Sequence, residues 1–68
     1  GEALRTTGVG HFCFFVDSVD DAISELNKKG VPTFVEAADY PNIGVRVGFV
    51  KDNNGNIIEF SGSMNSAQ

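Results

Sequence analysis

The chain has 68 residues, 41% of them hydrophobic and 21% charged, with a formal net charge of −4 and a single cysteine. This balance excludes a disordered or collagen-like chain. The five cations, Arg5, Lys28, Lys29, Arg46 and Lys51, are scattered and form no basic stripe for phosphates, so nucleic acid is not an expected partner. No apolar run is long enough for a membrane span. Cys13 has no second cysteine to pair with, which points to a reducing, cytoplasmic compartment. A chain this short buries only roughly 60% of its unfolded surface. One domain fits, spanning residues 1–68 with an ordered core over about 7–61, and that core needs support from outside itself. The start at Gly1-Glu2 rather than Met reads as a processed, tagged or truncated product.

In chain order, Val9 to Val16 (VGHFCFFV) is apolar, aromatic and bounded by the breakers Gly8 and Asp17-Ser18, which predicts a first strand. Alternation puts His11, Cys13 and Phe15 on one face and Phe12, Phe14 and Val16 on the other. Val19, Ala22, Ile23 and Leu26 then follow the spacing of a helix with one buried stripe. Ser18 is its predicted cap, with Asp20 and Asp21 at the positive end of the dipole and Lys28 and Lys29 at the negative end. Gly30 is placed to end the helix in the left-handed conformation, with Val31 folding back on Leu26 and Pro32 preventing continuation. Thr33 to Ala37 predicts a second strand and Ala38 to Gly44 a loop. Val45 to Val50 predicts a third strand, Asp52 to Gly55 a turn, and Asn56 to Phe60 a fourth strand. The polar stretch from Gly62 to Gln68 is expected to fray.

Turn chemistry sets the register of the last hairpin. A two-residue Asn54-Gly55 loop would place Val50 opposite Glu59. A three-residue loop, with Asn53-Asn54 in a type I turn and Gly55 left-handed, places Phe49 there instead. The second is preferred, because it gathers Val45, Val47, Phe49, Ile57 and Glu59 on one face. It leaves Gly48, Val50, Ile58 and Phe60 under the helix, where a residue without a side chain permits close approach. Arg46 then points away from Glu59.

The pieces GVGHFCFFVD (Gly8 to Asp17), DAISELNKKGV (Asp21 to Val31) and GFVKDNNGNIIEF (Gly48 to Phe60) resemble, in this order, the glyoxalase/bleomycin-resistance/dioxygenase superfamily, also known as the vicinal oxygen chelate superfamily. Asn53 stands where the family usually has Pro, which turn chemistry tolerates. The resemblance implies an α+β fold, a single βαβββ module with strand order 1-4-3-2 and the helix on one face, similar to a carboxyl-terminal module. It also implies that two modules face each other as a half-open barrel around a metal held by His or Gln plus Glu from each. His11 and Glu59 would then be half a ligand set. A homodimer or a missing second module would supply the rest, and two identical copies would give two of each ligand.

The function implied by the resemblance is a glyoxalase-like lyase or isomerase of lactoylglutathione lyase type. A divalent ion, Zn, Ni, Co, Mn or Fe(II), would bind two adjacent substrate oxygens and stabilise the enediolate formed on proton loss. Glu59 would be a ligand that doubles as base, and His11 a ligand only. Two other functions stay open: a non-catalytic bleomycin-resistance-type module binding a flat, partly cationic small molecule, and an extradiol ring-cleaving dioxygenase. Phe15, Val47 and Phe49 are candidate substrate contacts and equally plain core. Judged on the residues alone, His11 is a strand histidine with a local hydrogen bond and Glu59 an exposed carboxylate. Cys13 reads as a small buried hydrophobe before it reads as a soft ligand or reactive thiol. Asp17, Asp20 and Asp21 lack the spacing of a calcium loop and are read as helix-start residues. Tyr40 is a further candidate for substrate contact.

Overall fold

The computed structural model describes residues 3–8 as backbone and residues 10–64 in full. The apolar run HFCFF forms strand β2 (His11–Phe15), and the amphipathic segment after it forms helix α1 (Val19–Lys28). The remaining strands are β1 (Ala3–Gly8), β3 (Thr33–Tyr40), β4 (Val45–Lys51) and β5 (Ile57–Ser63). They make one open five-stranded sheet in the order β1-β2-β5-β4-β3, in which β2 and β5 run parallel and every other pair is antiparallel. Without β1, this is the expected βαβββ module with its four strands in the order 1-4-3-2.

The helix ends are built as their residues dictate. The Ser18 hydroxyl accepts from the Asp21 N–H at 3.2 Å, satisfying one of the free donors of the first turn. At the other end Val31 N–H bonds Leu26 C=O and Gly30 N–H bonds Asn27 C=O, with Gly30 at φ +91, which is a Schellman closure.

The core lies between the helix and one sheet face. Val19, Ile23, Val50 and Phe60 are buried there, with Phe14, Val16, Leu26 and Ile58 packed around them. Gly48 sits at the tightest point of this layer, as expected. A Cβ added to it would lie 2.5 Å from Ile23 Cδ1 and 3.1 Å from Ala37 Cα. Arg46 also points to the helix side. Its Nε and Nη2 donate to the two carboxylate oxygens of Asp20 at 3.1 Å each, and its Nη1 donates to Asp39 at 3.1 Å. These bonds, from Asp20 first and then Asp39, raise the guanidinium pKa above its ordinary value.

Three predicted boundaries are corrected. Residues 3–8 form a strand that the sequence did not announce, since ALRTTG has no apolar alternation; β1 is held as an edge strand by backbone pairing along β2, from Ala3 opposite Phe15 to Thr6 opposite Phe12. The expected loop over 38–44 is strand as far as Tyr40, because Asp39 pairs with Arg46 and Tyr40 with Val45; two register shifts earlier in β3 absorb its irregular sequence. The last strand runs past Phe60 to Ser63, paired with β4 up to Val45. The predicted first-strand residue Val9 and the tail residues 65–68 lie outside the described residues.

Candidate functional site

The site is set by the β4–β5 turn. Asp52 pairs with Asn56 through its N–H at 3.0 Å, leaving a three-residue loop whose last member, Gly55, has φ +85. The Asp52 carboxylate organises that loop, accepting from Asn56 Nδ2 at 3.0 Å, Asn56 N–H at 2.8 Å and Asn54 N–H at 2.9 Å. These bonds, led by the Asn56 side chain, hold its pKa below the usual aspartate value. The consequence is the preferred register, with Phe49 opposite Glu59 and Val50 opposite Ile58.

Parallel pairing on the other side places Glu59 beside Cys13 and Ile57 beside His11. His11, Cys13 and Phe15 on β2, Ile57, Glu59 and Ser61 on β5, and Val45, Val47 and Phe49 on β4 therefore share the face that the helix does not cover. His11 and Glu59 meet on it: Nε2 lies 3.3 Å from Oε1, with side-chain exposures of 36% and 23%. The His11 ring also tilts against Phe49, with centroids 6.2 Å apart. All five sequence-predicted site residues thus lie on one face, with His11, Glu59 and Phe49 close together. Phe15 and Val47 lie one row deeper, on either side of Ser61. Tyr40 pairs with Val45 on the edge strand β3 and is exposed.

The 3.3 Å separation has two chemical meanings. With a proton on His11 Nε2, the imidazole donates a hydrogen bond to the carboxylate. With the proton on Nδ1, two lone-pair donors face a common point. First-row divalent ions bind such atoms at about 2.0–2.2 Å, which sets neighbouring donors on one ion about 3.0–3.4 Å apart, so the pair fits a metal as two cis ligands. It fits only in part, since no group of three or more His, Cys, Asp or Glu residues is placed to hold a metal among the described residues.

Sequence reasoning passed over Ser61, which is buried in the middle of this face. Its signal was the alternation of Ile57 and Glu59, which points to residue 61 once the strand is carried past Phe60. The clamp of Arg46 on Asp20 had no local signal, because the two residues are 26 apart in sequence and meet only through packing of helix on sheet.

A parallel central strand pair carrying a histidine on one member and a glutamate on the other, in a βαβββ module, is the arrangement that the sequence resemblance implies. The model of the Glyoxalase/Bleomycin resistance protein/Dioxygenase superfamily matches residues 2–60, and the chain belongs to that superfamily. No curated protein and no solved structure matches it. No described helix is long and apolar enough to cross a membrane.

Proposed function

We propose that this module contributes half of a divalent metal centre for glyoxalase-type proton transfer, with His11 and Glu59 as its ligands and a second copy of the chain supplying the other half. The observation that carries the reading is the 3.3 Å approach of His11 Nε2 to Glu59 Oε1 on the helix-free face. Two donors do not fill the coordination sphere of an ion that also has to bind substrate, and a two-fold pairing would bring four. Phe34, Val35 and Tyr40 are exposed on the edge strand β3, apolar surface that a facing module would cover.

When bound, the ion supplies a Lewis acid for two adjacent oxygens of a hydroxy-ketone or hemithioacetal. Glu59 takes the proton from the carbon beside them and returns it to the neighbouring carbon. Phe49 and Phe15 keep water from the reacting carbons. His11 would hold the ion through Nε2 as a ligand only and transfers no proton itself.

The test is equilibrium dialysis of the full chain against Zn, Ni, Co and Mn ions, followed by turnover of a hemithioacetal made from a 2-oxoaldehyde and a thiol. Wild type should retain metal and catalyse the isomerisation. His11→Ala and Glu59→Ala should each lose affinity by more than the roughly 10–100-fold of an outer-shell change. Retention of no metal by the folded wild-type protein defeats the reading. A second reading, a bleomycin-resistance-type binding module, draws on the exposed apolar side chains of β3 and on Phe49 beside His11. It predicts binding of a flat cationic ligand that His11→Ala leaves unchanged.

A further inference from the structure

The loop that sets the register of the site carries a reactive dipeptide, Asn54-Gly55. Both residues are exposed at the tip of the β4–β5 hairpin, and a Cβ added to Gly55 would meet nothing within 4 Å. The side-chain amide of an asparagine is open to attack by the backbone nitrogen of the next residue, and a glycine there hinders the approach least because it has no Cβ. Asn42-Ile43, in the exposed turn between β3 and β4, is a comparison built into the same chain. Ile43 N–H donates to Tyr40 C=O at 3.1 Å and Gly55 N–H donates to Asp52 C=O at 3.1 Å, so both nitrogens are held alike. Ile43 differs in its stiff, branched side chain, which crowds the approach.

We propose that Asn54 is a spontaneous deamidation site, whose isoaspartyl product lengthens the loop backbone and weakens the hairpin that holds Phe49 opposite Glu59. Base in solution removes the Gly55 amide proton, and the nitrogen bonds to Asn54 Cγ. The Cγ–Nδ2 bond breaks, and ammonia leaves as a succinimide ring closes. Water then opens the ring. Its addition at Cγ gives aspartate, whereas addition at the main-chain carbonyl carbon routes the chain through the side chain as isoaspartate. No oxidant, reductant or metal takes part, so the proposal stands apart from the metal-site reading. Isoaspartate adds one backbone bond of about 1.5 Å to a loop whose N–H groups at Asn54 and Asn56 both reach the Asp52 carboxylate. It also sets a second carboxylate beside Asp52. Both changes act on the turn that fixes the β4–β5 register.

The experiment incubates the full chain in mildly alkaline buffer at physiological temperature and maps its peptides by mass, with fragmentation that separates isoaspartate from aspartate. Asn54 should convert at least about tenfold faster than Asn42, which corresponds to a barrier lower by about 1.4 kcal/mol. The isoaspartyl form should melt about 4–8 °C below fresh protein, as loss of one net hydrogen bond does in a domain of this size. Asn54→Gln should keep its melting temperature through the same incubation. Fresh Asn54→Asp, which carries the charge on an ordinary backbone, should melt closer to wild type than the isoaspartyl form does. Conversion of Asn54 no faster than that of Asn42 overturns the site. An isoaspartyl form that melts with fresh protein overturns its effect on the hairpin.

Discussion

Asp52 does more for the site than its distance from it implies. Its carboxylate accepts three hydrogen bonds across the loop that sets which β4 residue faces Glu59. Because these bonds favour the ionised form, the folded pKa lies below the ordinary value of about 3.9. The stabilisation is therefore complete above that ordinary value and is lost as pH falls through the lower, folded one. Urea midpoints measured from pH 6 down to pH 2 should fall more steeply for wild type than for Asp52→Asn; parallel curves would refute the assignment. His11 and Glu59 were legible in the sequence for a physical reason. Strand alternation fixes a face, and a glycine able to adopt positive φ after Asn53-Asn54 fixes the register. Ser61 was not legible, because Gly62 and the small polar residues after it read as a chain end, while the pairing that keeps them in the sheet comes from β4.

At the scale of elements, the helix was readable at both ends because caps are local: Ser18 at one and Gly30 with Val31 at the other. Strands depend on neighbours. β1 lacks any apolar pattern and exists as the antiparallel edge of β2, and β3 extends to Tyr40 because Asp39 finds Arg46 across the ladder. Helix and sheet meet most closely at Gly48. Gly48→Ala should therefore cost about 1–3 kcal/mol by overpacking against Ile23 and Ala37. A denaturant midpoint equal to that of wild type would show that Ile23 yields freely. The opposite kind of change, Phe60→Ala, empties the centre of the same layer and should cost about 3–5 kcal/mol.

For the whole molecule, those costs are large. A domain of this size has a stability of about 3–10 kcal/mol, so Phe60→Ala should leave a substantial unfolded fraction at 37 °C, visible as lost near-ultraviolet dichroism. The proposed second module would add to this marginal core: one sheet face is covered by the helix, and the other carries the His11–Glu59 pair, with apolar side chains exposed along β3. Pairing would complete the ligand set and bury that surface together. Metal binding and association are then linked, and each should strengthen the other. The most direct measurement is solution mass by sedimentation equilibrium together with metal content on the same sample, with and without zinc. The account predicts that zinc shifts the protein towards a two-chain species holding one ion per pair, and that Glu59→Ala abolishes the shift. A one-chain species binding one ion as tightly as a pair, or a stable pair that takes up none, would contradict it.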